Sequence, residues 1–276
     1  MSSQYFIRSL LSGNFVIDVP GSNTAPATKL HIWKHNGGTN QLWTFEQGSQ
    51  FGDQNFFFIR SALGHNLVID IPDSKTAEET RLQTYGKNNG NNQLWTPIDC
   101  PESDPNAFSI QSYLGSAIVM DVKGNVAADG TALQIYNQKP ASSDNQAWHL
   151  DPVSQATFTQ QKITSIKLAG TNTDGTEIVR FVGEGFRPAS SLKVVFSYQD
   201  EQGESTQVPN QKIRVDFAGG FAKTMTSTSG NGAGVRLGLS GSGSIGIWDN
   251  ANSSVFVQTI FKFDGSNFQI TFSGPE

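Results

Sequence analysis

The sequence predicts an all-β protein with two domains, and three observations support this prediction. Short stretches that alternate apolar and polar residues recur along all 276 residues, and 28 glycines supply the turns between them. No stretch combines an apolar period of 3.6 with helix caps. The tripeptide Gln-x-Trp occurs three times before residue 150 and never after it. We therefore expect a repeat domain at residues 1–152 and a β-rich domain of another kind at residues 153–276.

The composition excludes several classes of partner. Charged residues make up 16% of the chain, the net charge is −5, and the sequence pI is about 5.4. The sequence has no basic cluster that would bind phosphates, so we expect no nucleic acid partner. No apolar run approaches the length of a membrane-spanning helix.

The cysteine count bears on compartment and cofactors. Cys100 is the single cysteine, so it forms no disulfide within the chain and builds no metal site alone. The N-terminal residues lack the basic start and apolar core of a signal peptide. We therefore expect a cytoplasmic protein without disulfides, and no cofactor or metal.

Three copies of one unit fill the first half, at residues 5–43, 57–95 and 108–148. Asp18, Asp70 and Asp121 stand at matching positions, 52 and 51 residues apart. In each copy a short strand precedes a second strand that includes the Asp. A loop of small polar residues follows, then a third strand with an aromatic residue, then a turn that closes on Gln-x-Trp. A fixed period of this kind predicts a repeat architecture built from antiparallel strands.

This pattern resembles the ricin B-type lectins, most of all the two-domain fungal lectins that bind galactose or N-acetylgalactosamine. The resemblance rests on three Asn-Gln-x-Trp endings in register, each with its upstream Asp and aromatic residue. It implies a β-trefoil, a six-stranded barrel capped by three hairpins. We expect the three tryptophans, Trp43, Trp95 and Trp148, to pack in the core rather than to bind sugar.

The residues around each Asp suit a sugar, whose hydroxyls need carboxylate and carboxamide partners and whose C–H face packs on an aromatic ring. In the expected roles, the Asp accepts from hydroxyls, the aromatic residue stacks, the Asn donates and accepts, and the following Gln holds the Asp. A further amide stands two residues before the aromatic residue, except that the first copy has His31. The predicted carbohydrate-binding residues are Asp18, His31, Trp33, Asn40 and Gln41; Asp70, Gln83, Tyr85, Asn92 and Gln93; and Asp121, Gln134, Tyr136, Asn145 and Gln146.

The second half reads as about seven alternating strands, which predicts a β-sandwich. It contains no His and no Cys, which excludes Ser-His-Asp and Cys-His catalysis there. Paired carboxylates are the remaining catalytic option. The candidates are Glu177, Glu184, Asp216 and Asp249. Phe- and Val-rich strands near the end suit a core or a dimer face, and we expect a homodimer because several weak sites gain avidity together.

The sequence thus predicts a non-catalytic defence lectin that binds galactose-containing glycans of glycoproteins or glycolipids. Two alternatives stay open. Residues 224–247 alternate apolar residues with Ser, Gly and Thr, so this segment could form a membrane-inserting β-hairpin of a lectin-toxin. The weaker alternative is a carbohydrate-binding module fused to a glycosidase.

Overall fold

A computed structural model gives the fold of two compact units, Met1–Thr157 and Phe158–Glu276. It describes residues 3–100, 104–140, 143–154, 161–173, 175–225, 235, 237–250 and 256–275. The expected all-β fold is confirmed, because the elements are strands and single 3₁₀ turns throughout these ranges. No helix in the described ranges is long and apolar enough to cross a bilayer.

The described residues of the first unit form thirteen strands in three repeats. In the first repeat they are β1 (Tyr5–Ser9), β2 (Phe15–Asp18), β3 (Thr28–Lys29), β4 (His31–Lys34) and β5 (Trp43–Phe51). In the second they are β6 (Gln54–Ser61), β7 (Leu67–Asp70), β8 (Gln83–Gly86) and β9 (Leu94–Asp99). In the third they are β10 (Phe108–Ser112), β11 (Ile118–Val122), β12 (Leu133–Asn137) and β13 (Trp148–Pro152).

Six of these strands close into a barrel. β1 pairs with β13 and β5, β5 with β6, β6 with β9, β9 with β10, and β10 with β13, always antiparallel. Six further strands form three hairpins, β2–β4, β7–β8 and β11–β12, and the short β3 pairs with β8. A barrel with one hairpin per repeat is the β-trefoil that the repeats predict, and closure leaves the barrel without a free edge.

The Gln-x-Trp endings join the barrel to the hairpins. A single 3₁₀ turn precedes each tryptophan, at Thr39–Gln41, Asn91–Gln93 and Asp144–Gln146. The three tryptophans are fully buried, as their size and position in the repeat predict. A second 3₁₀ turn follows each Asp strand, at Pro20–Ser22, Pro72–Ser74 and Lys123–Asn125. The two turns of one repeat contact each other and bring distant parts of that repeat together.

The described residues of the second unit form eight strands in two sheets. One sheet has the order β14 (Lys162–Thr171), β15 (Glu177–Glu184), β18 (Phe221–Met225). The other has the order β17 (Ser205–Arg214), β16 (Ser191–Asp200), β19 (Gly241–Asp249), β20 (Phe256–Phe263), β21 (Phe268–Pro275). Both sheets contribute to one buried cluster that includes Ile166, Phe181, Phe196 and Phe261, which is the arrangement of a β-sandwich.

Residues 224–247, the segment with the pattern of a membrane hairpin, are described only in part. Residues 226–234 and 236 lie outside the described residues. Its C-terminal part belongs to β19, which pairs along its length with β16 and β20. Because β19 has hydrogen-bonded neighbours on both sides, its release as one arm of a hairpin would break two strand pairings.

The three core tryptophans differ in one hydrogen bond, which predicts unequal mutational costs. Trp43 Nε1 donates to Ile17 O and Trp95 Nε1 to Ile69 O, both at 3.1 Å, whereas the buried Trp148 Nε1 has no partner among the described residues. Trp→Phe removes a similar volume at each position. We expect Trp43→Phe and Trp95→Phe to lose about 1–3 kcal/mol more free energy of unfolding than Trp148→Phe. Equal losses in urea denaturation would contradict the asymmetry.

Candidate functional site

The first site forms around a buried carboxylate at the end of β2. Asp18 is 3% exposed and lies opposite His31 in the β2–β4 hairpin. Asn40 Nδ2 and Gln41 Nε2 donate to Asp18 Oδ2 at 2.8 and 2.9 Å, and His31 Nε2 donates to Asp18 Oδ1 at 2.8 Å. Three donors thus satisfy the desolvated carboxylate, and one lone-pair direction of Oδ1 is left for a ligand hydroxyl.

The amides in this site have different functions. Asn40 Nδ2 also donates to Val19 O at 3.0 Å, so its two hydrogens are used and only Oδ1 is left to accept. The sequence predicts that Asn40 both donates to and accepts from a ligand, whereas in the structure it can only accept. Gln41 is fully buried: Nε2 also donates to Lys34 O at 3.0 Å, and Oε1 accepts from Asn36 N at 2.9 Å. Gln41 therefore holds Asp18 and the loop without reaching solvent.

An exposed aromatic ring stands beside the carboxylate. Trp33 is 39% exposed although it follows a buried residue in β4, because alternate residues of a strand face opposite sides. The His31 and Trp33 rings stack at a centroid distance of 5.3 Å and an interplanar angle of 29°. His31 thus takes the hydrogen-bonding place of the Gln in the other repeats and also supports the indole.

The second site repeats this arrangement. Gln83 Nε2 donates to Asp70 Oδ1 at 2.8 Å. Asn92 Nδ2 and Gln93 Nε2 donate to Asp70 Oδ2 at 2.7 and 3.1 Å. Tyr85 is 41% exposed beside them. The structure therefore gathers the five predicted residues of this repeat around one carboxylate, with an open ring as in the first repeat.

The third site has the same carboxylate network. Gln134 Nε2 donates to Asp121 Oδ1 at 2.9 Å. Asn145 Nδ2 and Gln146 Nε2 donate to Asp121 Oδ2 at 2.7 and 3.0 Å. Tyr136 is half-buried here, in contrast to the exposed Trp33 and Tyr85. The five predicted residues again come together, but in a more enclosed setting.

A lysine distinguishes this third site. Lys139 Nζ donates to Asn145 Oδ1 at 3.1 Å and lies 3.6 Å from Asp121 Oδ2. It also lies 5.6 Å from the centroid of the Tyr136 ring. Burial raises the pKa of Asp121, and the nearby amides and Lys139 oppose that rise.

Residues from neighbouring repeats complete the rims. Lys29 of the first repeat donates to Gln83 Oε1 at 2.7 Å through the β3–β8 pairing. Burial, followed by the charge of Arg81, lowers the pKa of Lys29. Asp129 Oδ1 of the third repeat accepts from the backbone N–H of Lys34 at 2.8 Å, next to Trp33. Glu78 of the second repeat raises the pKa of the Tyr136 hydroxyl, through a hydrogen bond and through its charge.

Sequence reasoning missed these rim residues, although the repeat contains signals for them. Lys29 stands two residues before His31, as Arg81 does before Gln83. Asp129 and Glu78 each stand five residues before the Gln of their own repeat. Asp129 contacts the first site and Glu78 contacts the third site. Lys139 lies in the loop that is two residues longer in the third repeat. Aligning the repeats finds the positions, but only closure of the barrel shows which site each one reaches.

Three of the four candidate catalytic carboxylates of the second unit have defined hydrogen-bond or ion-pair partners. Glu177 Oε2 accepts from Leu237 N at 3.0 Å, and Asp216 Oδ1 accepts from Ala218 N and Gly220 N at 2.8 and 2.9 Å. Glu184 forms a surface ion pair with Lys162 at 3.1 Å. These contacts give Glu177, Asp216 and Glu184 structural roles. Asp249, the fourth candidate, ends β19 opposite Leu192. In the described ranges no group of three or more His, Cys, Asp or Glu side chains is arranged to hold a metal ion.

Comparison with solved structures returns lectins among its matches. The C-terminal half of the earthworm R-type lectin, in complex with GalNAc, is 24% identical, covering 54% of this chain and 98% of that chain at a TM-score of 0.40. The Rhizoctonia solani agglutinin is 18% identical, covering 55% and 96% at 0.44. The Polyporus squamosus lectin, bound to a sialylated epitope, is 10% identical, covering 100% and 97% at 0.43. No curated protein sequence matches this chain.

The sequence profile of one family matches three times. It is described as the ricin-type beta-trefoil lectin domain-like family, and its matches cover residues 1–85, 47–136 and 91–180. Together these matches span more than half of the chain and follow the three repeats. The assignment rests on this profile and agrees with the closed barrel and its three hairpins. The chain belongs to the ricin-type β-trefoil lectin family, whose members bind carbohydrate and are generally non-catalytic.

Proposed function

We propose that this protein binds glycans with terminal galactose or N-acetylgalactosamine through the Asp, aromatic and Asn sites of its trefoil, without catalysing a reaction on them. One observation carries the proposal. At both Asp18 and Asp70, a desolvated carboxylate is held by three donors beside an aromatic ring that is about two-fifths exposed. Such a prearranged acceptor needs no reorganisation when it binds a hydroxyl.

The geometry favours galactose among the neutral hexoses. Its axial 4-hydroxyl leaves one C–H face free to pack on a ring such as Trp33 or Tyr85. A neighbouring hydroxyl then donates to the remaining lone pair of Asp Oδ1. The amide oxygen Oδ1 of Asn40 or Asn92 is available to accept from another sugar hydroxyl. Neither Asn oxygen accepts a hydrogen bond from any described residue, so both remain available to a sugar.

The exposed rings provide a test that spares the fold. Trp33→Ala or Tyr85→Ala removes the stacking surface while leaving the buried carboxylate network intact. Loss of about 1.5–3 kcal/mol of apolar contact predicts roughly 10- to 100-fold weaker binding at that site. On a glycan array, the double variant should lose most galactoside signal, because avidity falls with the sites.

Phe51→Ala is the matched control for that array. Phe51 is 69% exposed in the same unit and touches none of the three carboxylates, so its loss should leave the array unchanged. Galactoside binding that survives Trp33→Ala/Tyr85→Ala/Tyr136→Ala would show that the sites are wrongly assigned. Wild-type protein that binds no galactoside would refute the proposed ligand.

Lys29 should strengthen the second site without touching the sugar. Its ammonium fixes Gln83, which in turn fixes Asp70. In a Trp33→Ala background, where the second site dominates, Lys29→Ala should weaken lactose binding about two- to tenfold, the value of one positioning hydrogen bond. Lys75→Ala removes a neighbouring surface charge and should change little. Equal effects of the two variants in an isothermal titration would assign the change to charge alone.

We also propose that the second unit joins two chains. Ile260 and Phe272 pair across β20 and β21 and are 41% and 46% exposed, so two large apolar side chains meet on one surface. Ile260→Ser/Phe272→Ser should convert a dimer to a monomer in sedimentation equilibrium. Leu168→Ser is the control, since Leu168 is 38% exposed on the other sheet. A wild-type monomer would overturn this proposal.

A further inference from the structure

Lys139 occupies a position whose counterparts in the other repeats behave differently. The backbone N–H of Asn36, Asn88 and Lys139 donates in each repeat to Oε1 of the buried Gln, always at 2.9 Å. These three residues are therefore structurally equivalent. The side chains of Asn36 and Asn88 turn back into their own loops and accept from Gly38 N and Gly90 N at 2.8 Å.

The lysine side chain turns towards the carboxylate instead. The third loop is two residues longer, and Lys139 stands where the other repeats have the Asn of an Asn–Gly contact. Lys139 Nζ donates to Ser143 Oγ at 3.4 Å and to Asn145 Oδ1 at 3.1 Å, and lies 3.6 Å from Asp121 Oδ2. One ammonium thus fills the Asn oxygen that a sugar would use and lies beside the Asp carboxylate.

The acceptor that is available at the other sites is filled here. Asn145 Oδ1 accepts from both Lys139 Nζ and Ser143 Oγ, which uses its two lone pairs. Asn145 is 1% exposed, whereas Asn40 and Asn92 are half-buried. The ammonium also lies near the aromatic ring, with Lys139 Nζ 5.6 Å from the centroid of the half-buried Tyr136.

We propose that Lys139 is an internal ligand that closes the third site to neutral galactosides, so that the trefoil has two open sites and one closed site. The proposal rests on the proposed function of the first two sites and specifies which repeats perform it. A sugar must displace the ammonium before it can bind. The Lys139 side chain is 39% exposed, so solvent screens its contacts and a sugar can still displace it at a cost in affinity.

The size of the effect follows from this competition. If Lys139 occupies the site nine-tenths of the time, the apparent dissociation constant rises about tenfold. Lys139→Asn gives the third repeat the residue of the other two, and Lys139→Ala removes the side chain. Both should open the site, whereas Lys162→Ala, which removes a surface lysine of the second unit, should not.

The test uses variants of the full chain with one intact site each. Trp33→Ala/Tyr85→Ala leaves the third site, Tyr85→Ala/Tyr136→Ala the first, and Trp33→Ala/Tyr136→Ala the second. Saturation-transfer NMR with methyl β-galactoside measures the affinity of each, and circular dichroism verifies the fold. We expect the third-site variant to bind at least about tenfold more weakly than the other two. Adding Lys139→Asn or Lys139→Ala should bring it to within about threefold of them.

Each other outcome has a distinct meaning. Equal binding by all three variants would overturn the closure and leave the proposed function standing. A third site that stays silent with both Lys139 substitutions would show that Lys139 is not what closes it. Tighter binding of a sulfated galactoside by the third-site variant, lost with Lys139→Asn, would replace closure with anion recognition. Silence of all three variants would refute the proposed function and the inference with it.

Discussion

The trefoil depends on one interaction that recurs in each repeat, the hydrogen bonding of a buried Asp by the Asn and Gln that precede a core tryptophan. A carboxylate that is 2–3% exposed needs donors, since the desolvation of an unpaired charge is costly. The donors come from a turn 22 to 25 residues further along the chain. The network therefore joins the hairpin to the barrel and, by the same hydrogen bonds, fixes the orientation of the carboxylate.

This double role separates what is shared by the repeats from what varies. The Asp, Asn and Gln contacts are nearly identical in all three copies, because they support the fold. The surroundings differ: His31 replaces a Gln in the first, Lys29 supports Gln83 in the second, and Lys139 fills the third. The variation thus falls on the residues around each carboxylate, so one scaffold gives the three carboxylates different surroundings.

The sequence allowed the all-β trefoil fold and the clustering of the predicted residues around each Asp to be predicted, because both follow from a period that is visible in the chain. That these clusters bind a sugar stays a prediction. The positions of Lys29 and Lys139 could not be predicted. Lys29 reaches Gln83 only because the barrel closes and pairs β3 with β8. Lys139 lies in a loop that is longer than its counterparts in the other repeats. The period of the repeats does not predict which groups its side chain contacts.

The second unit shows a different limit of sequence reasoning. Alternating patterns predicted about seven strands, and the described residues form eight. The difference lies at residues 211–225, which contain the end of β17, a turn and β18. Gly219 has φ +84°, and a Cβ there would lie 2.5 Å from Phe186 O, so the turn requires glycine. The sequence motif AGGFA contains this turn, and the alternation of apolar and polar residues does not reveal it.

A crystal structure of the protein with bound lactose tests the central claim most directly. The account predicts galactose rings stacked on Trp33 and Tyr85, each with a hydroxyl donating to Oδ1 of Asp18 or Asp70, and Lys139 in place at the third site. Lactose bound away from these carboxylates, for example in the pocket lined by Phe51, Phe56 and Tyr113, would contradict it.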